Sequence, residues 1–168
     1  MQKKSGSVFS RNGTPVIDRE LVILGLKAGS PEQALEALSE RLFERGFVKA
    51  SFKSAVIERE RAFPTGIPSL IPVAIPHTDA HHNLHSALAV GVLAQPVDFH
   101  VMGFEEETTP VRLVFMLTLT EPKAQAAWLG RLTKIIRQPA ILEQFLSAHT
   151  AAQVESGLRR HLLAEEQA

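Results

Sequence analysis

The sequence predicts an α/β fold: a single compact domain, with a mixed four- or five-stranded sheet and helices on both faces. Three observations carry this expectation. Short apolar runs of strand length alternate with amphipathic segments at helical spacing. The 168 residues are 45% apolar and 21% charged, the balance of a globular chain with a real core. No Pro/Gly/Ser-rich linker interrupts residues 19–166. These are expected to form one domain, behind a loosely ordered tail over residues 1–18 that mixes Ser, Gly, Asn and Pro.

Residues 21–26 form the first apolar run and the first candidate strand. Gly29-Ser30-Pro31 then opens a helix, with Ser30 as N-cap, Pro31 at the first helical position and Gln33 completing a capping box. Ala34, Leu35, Leu38, Leu42 and Phe43 share its inward face, and Gly46 stops it. A second helix spans residues 51–62, aligning Phe52, Ala55, Val56 and Arg59. Two prolines and a glycine in residues 63–68 force a loop. Residues 73–76 read as a buried strand that ends at Pro76, because proline cannot donate to a sheet ladder. A polar segment, 78–86, precedes a buried strand at 87–93 and a short extended piece at 96–99. Residues 103–110 are expected as an acidic loop, and 111–119 as the strongest strand. A third helix starts at Glu121-Pro122, with Ala126, Leu129, Leu132, Ile135 and Ile136 inward, and breaks at Gln138-Pro139. Helices over 140–148 and 151–163 complete the chain.

Composition excludes several functions. Lys plus Arg and Asp plus Glu both number 18, so the chain lacks the basic stripe that nucleic acid binding requires. Cysteine is absent, which removes disulfides, thiolate metal sites and cysteine nucleophiles. No apolar run approaches the roughly 20 residues of a membrane span, and a cytoplasmic location is expected. No glycine-rich nucleotide loop and no serine nucleophile elbow are present.

The candidate chemistry gathers after the proline-bounded strand. His77 follows Pro76 directly, at a sheet edge where ligands collect in α/β folds. A neutral imidazole there suits attack on phosphorus: one nitrogen attacks while the other is held by a hydrogen bond. A lone histidine is more often a packed or surface residue. Arg59-Glu60 offers a planar guanidinium for phosphoryl oxygens, although the alternating charges of residues 58–61 equally fit a solvated helix face. His77, Asp79, His81 and His82 could instead be ligands of a metal-dependent hydrolase, with His85 four beyond His81. Their order matches no standard ligand motif, and a polar solvated turn is the simpler account.

Over about residues 30–163 the chain resembles cytoplasmic enzyme IIA domains of the phosphoenolpyruvate-dependent sugar phosphotransferase system. The similarity is to the fructose/mannitol branch, and within it to galactitol-type IIA proteins. It rests on Arg59-Glu60 followed by Phe63-Pro64-Thr65-Gly66-Ile67, on Val73-Ala74-Ile75-Pro76-His77, and on Pro96-Val97-Asp98-Phe99 with the later strand and the Leu129-x-x-Leu132 helix. The resemblance implies that His77 accepts phosphate from the carrier protein HPr. His77 would pass it to a cysteine of a IIB protein, which phosphorylates a sugar alcohol, galactitol or a relative, during uptake through a membrane IIC protein. It implies that Arg59 steadies the phosphoryl group and that no metal or cofactor takes part. Many mannitol-type members carry a second active-site histidine where Gln125 stands here, so Gln125 is a candidate phosphoryl contact without a proton to give. Lacking cysteine and apolar spans, the chain is expected to find IIB and IIC on other proteins. A docking patch of Ile67, Leu70 and Ile71 is expected. A nitrogen-type regulatory IIA-like protein, using the same His77, is the alternative.

Overall fold

The computed structural model describes residues 13–163. Five strands form one mixed sheet: β1 (Val22–Leu26), β2 (Gly66–Ile67), β3 (Val73–Ala74), β4 (Ala87–Val101) and β5 (Phe104–Thr118). The helices are α1 (Pro31–Glu44), α2 (Phe52–Ala62), α3 (Gln125–Ile136), α4 (Pro139–Leu146) and α5 (Ala151–Leu158). β4 lies between β1, which it pairs in parallel, and β5, which it pairs antiparallel. β3 adds in parallel to the other edge of β5, and β2 pairs antiparallel with β3. At its far end β4 reaches β2 again, with Val101 beside Gly66.

The two-residue period of the strands divides the core into two layers. Leu88, Val90 and Val92 of β4, with Leu113, Phe115 and Leu117 of β5, face α3, α4 and α5. Ala87, Ala89, Val114 and Met116 point the other way, onto α1 and α2. Gly91 marks a close approach, since a Cβ there would stand 2.9 Å from a Leu26 methyl carbon and 3.4 Å from one of Leu38. The predicted helices thus cover both faces, as the expected fold class requires.

Several local expectations change. Of residues 1–18, 1–12 lie outside the described residues. In residues 13–18, Val16 bridges Ala87 in parallel and Ile17 is buried in the core. The expected acidic loop at 103–110 is strand: β4 and β5 form a continuous hairpin around Met102 and Gly103, with Gly103 at φ 80°. Glu105, Glu106 and Glu107 are exposed there. Residues 104–108 are exposed in a row, so they show no core alternation and read as loop, although Thr109 and the facing Val97, Phe99 and Val101 are buried. Gly66–Ile67 is likewise a short strand inside the expected loop. Phe43 is 53% exposed, and Ala126 faces solvent while Trp128 is buried in its place. Ser30 caps α1 through the Gln33 N–H, but the Gln33 side chain accepts from Gly29 rather than completing the box on Ser30. The last helix turns into a π-helical segment after Leu158.

Candidate active site

The ladder of β3 ends at Ala74, and Ile75 and Pro76 continue as extended chain into His77. β3 and β5 run parallel, so their C-terminal ends meet at one rim, where Leu117 N–H donates to Pro76 O at 3.3 Å. His77 is half-buried at that rim. Its Nδ1 lies 2.8 Å from Ile75 O. A carbonyl only accepts, so Nδ1 carries the proton, and in the neutral ring Nε2 keeps its lone pair. Burial lowers the His77 pKa below the ordinary histidine value, and the Arg59 charge adds to this. The Ile75 carbonyl and the Asp79 carboxylate pull the other way without reversing it. The ring is therefore predominantly neutral at pH 7, as a nitrogen nucleophile must be.

Arg59 comes from the last turn of α2. Its Nη1 stands 4.0 Å from Asp79 Oδ1, two residues beyond His77, and its guanidinium lies 5.3 Å from the centre of the exposed Phe63 ring. An ion pair this long and exposed binds weakly. The guanidinium donors can therefore turn to an incoming anion. Gln125 is the first residue of α3, half-buried, reached from the end of β5 through a 3-10 turn at Pro122–Ala124.

The other histidines do not join His77. His82 Nδ1 lies 2.8 Å from the Ser51 hydroxyl, His81 stacks on His82 at 3.9 Å, and His85 meets the edge of Phe47. Among the described residues no three His, Cys, Asp or Glu side chains are grouped as metal ligands. Of the expected docking patch, Leu70 is 81% exposed but Ile71 belongs to the core.

Sequence reasoning passed over the layer behind His77. Glu60, on the charged stretch that looked solvated, is buried. Its Oε2 accepts from Thr65 N–H and its Oε1 from the Thr65 hydroxyl, both at 2.9 Å. Thr65 Oγ1 in turn accepts from Ile75 N–H at 3.1 Å. The one signal in the sequence was the turn Phe63-Pro64-Thr65-Gly66, which brings Thr65 back beneath the helix end.

This architecture is that of a sugar phosphotransferase component. The chain belongs to the family described as "Phosphoenolpyruvate-dependent sugar phosphotransferase system, EIIA 2", whose model matches residues 15–160. Over 50 residues, 30% of this chain, it is 44% identical to the mannitol-specific EIICBA component of the PTS system of Pasteurella multocida. The match spans 8% of that much longer protein. The Escherichia coli mannitol IIA, solved in complex with phosphorylated mannitol IIB, shares the fold at a TM-score of 0.70 and 21% identity, covering 86% of this chain and 98% of that one. The nitrogen regulatory protein IIA-Ntr of Neisseria meningitidis shares it at 0.60 and 23%, covering 84% and 94%. Among the described residues, no helix is long and apolar enough to cross a membrane.

Proposed function

We propose that the chain is a phosphocarrier that takes a phosphoryl group on His77 Nε2 from phospho-HPr and hands it to a IIB cysteine. The sugar alcohol phosphorylated downstream is a hexitol: the resemblance in sequence is to galactitol-type proteins, and the curated relative is mannitol-specific. The observation that carries this reading is the Nδ1–Ile75 O bond, which leaves Nε2 as the acceptor at a sheet rim.

In the first transfer the Nε2 lone pair forms a bond to phosphorus as the phosphorus–nitrogen bond of the donor breaks. The electron pair returns to the donor imidazole, which leaves neutral. The His77 ring becomes a phosphoimidazolium that keeps its Nδ1 proton. Its bond to Ile75 O is then charge-assisted and strengthens as charge develops, so the carbonyl favours the transition state over the ground state. Arg59 balances the equatorial oxygens, and Gln125, at the start of α3, would serve as a further amide donor to them. The second transfer reverses these steps: the cysteine thiolate attacks phosphorus and His77 leaves as neutral imidazole. That cysteine lies outside these 168 residues, which contain none.

The test is labelling with phosphoenolpyruvate, enzyme I and HPr. The product should be acid-labile and absent in His77→Ala. Undiminished labelling of His77→Ala would reject the reading.

A further inference from the structure

Glu60 takes no part in the transfer described above, yet among the described residues it is the one buried carboxylate, and both its oxygens are spent on Thr65. An apolar side chain would latch a helix end to a loop at lower desolvation cost. What the carboxylate adds is direction. Ionised, as it is predominantly at pH 8, it only accepts, so it draws the Thr65 hydroxyl proton toward Oε1 and leaves an Oγ1 lone pair for Ile75 N–H. That bond matters because the β3 ladder ends at Ala74, and Pro76, which follows Ile75, has no N–H. The Thr65 hydroxyl thus holds the Ile75 peptide, and the same peptide's carbonyl holds His77 Nδ1.

We propose that Glu60 and Thr65 are positioning residues for His77, fixing its tautomer and the aim of Nε2 by pinning the Ile75 peptide. The proposal rests on His77 being the phosphoryl acceptor. Four hydrogen bonds run in one sense, from Thr65 N–H and hydroxyl to Glu60, from Ile75 N–H to Thr65, and from His77 to Ile75 O. Each polarises the next. A displacement of about 1 Å in such a support can cost a reaction on the order of 100-fold.

The experiment compares wild type with Thr65→Val, Thr65→Ser and Glu60→Gln at pH 8. Valine keeps the shape of threonine and removes the hydroxyl; serine restores it. Glutamine supplies one acceptor and one donor, so either the Thr65 hydroxyl proton or the Thr65 N–H loses its partner, and the Thr65 hydroxyl is no longer held in one orientation toward Ile75. Three readouts are taken: the ring 15N shifts of His77, which report the tautomer; the rate of phosphoryl acceptance from phospho-HPr; and Tm. The expected result is a His77 ring that drifts from the Nδ1–H tautomer in Thr65→Val and Glu60→Gln, with acceptance slowed by about tenfold or more. Thr65→Ser recovers both to within about threefold. Unchanged ring shifts, with rates within twofold or falling only as Tm falls, would overturn the proposal. If Thr65→Val does not fold, the Glu60→Gln ring shifts decide alone. His77→Gln runs alongside: phosphate acceptance there would reject the acceptor assignment, while the tautomer readout, which needs no phosphate, judges the positioning role separately.

Discussion

Gly66 is the point where a single methyl should disturb both the sheet and the site. It pairs with Ala74 of β3 and Val101 of β4, and its carbonyl accepts from Met102 N–H at 2.8 Å. A Cβ built there meets His100 O at 2.6 Å, Phe99 Cβ at 3.2 Å and His100 C at 3.3 Å. Two of these are backbone atoms of a paired strand and cannot swing aside. Carbon contacts are comfortable at about 3.5–4.0 Å, so β2 would have to retreat by roughly 0.5–1 Å. Overpacking of this kind costs about 1–3 kcal/mol. A weakened strand bond adds about 1 kcal/mol. For a domain of this size the sum lowers Tm by on the order of 5–15 °C. Thr65 precedes Gly66 directly, so phosphoryl acceptance should slow as well. The assay is thermal unfolding of Gly66→Ala beside Gly130→Ala. Gly130 is exposed in α3 with nothing within 4 Å of its Cβ position, and that change should be neutral or stabilising by up to about 1 kcal/mol. A Gly66→Ala protein that melts with the wild type would refute the close β2–β4 approach.

Two further outcomes follow from the charges. Burial pushes the Glu60 carboxyl up to about 7 from 4.5, against the pull of the two Thr65 hydrogen bonds and Arg59. Between those values the folded protein holds a proton that the unfolded chain has lost. The stability Glu60 contributes is thus complete below 4.5 and falls as pH rises toward 7, by about 3 kcal/mol at roughly 1.4 kcal/mol per pH unit. Denaturant titrations should show the wild-type advantage over Glu60→Gln shrinking across that window, and parallel profiles would contradict it. Arg59→Ala should slow phosphoryl acceptance by about 10- to 100-fold, with Arg59→Lys between, because lysine keeps the charge but not the fork. Tm should hardly move, since the 4.0 Å pair with Asp79 is weak and exposed. A rate unaffected by Arg59→Ala would remove the clamp from the mechanism.

Where the helices press on the sheet, the sequence was legible. Residues 87–93 are apolar throughout and 111–119 nearly so, because both faces of β4 and β5 are covered there, with Arg112 the one exposed position of the second run and Thr118 its one buried polar side chain. The outer arm of the same hairpin was not legible, because Ala94-Gln95-Pro96 and Glu105-Glu106-Glu107 face water and carry no alternation. Trp128 rather than Ala126 is buried because 128, 132, 135 and 136 lie at i, i+4, i+7 and i+8 on one stripe, whereas Ala126 stands about 200° around the helix from Trp128. His77 could be picked out because Pro76 ends the extended chain just before it. Glu60 could not, since its neighbours Glu58, Arg59 and Arg61 are those of a solvated face, and only the folded turn at Thr65 reveals what the carboxylate binds.

The claim that His77 accepts phosphate through Nε2 is tested most directly by NMR of the protein phosphorylated with phosphoenolpyruvate, enzyme I and HPr. Phosphorus coupling to the His77 ring should place the phosphoryl group on Nε2, with the Nδ1 proton retained and hydrogen-bonded to Ile75 O. A phosphoryl group on Nδ1, or on any other side chain, would contradict the account.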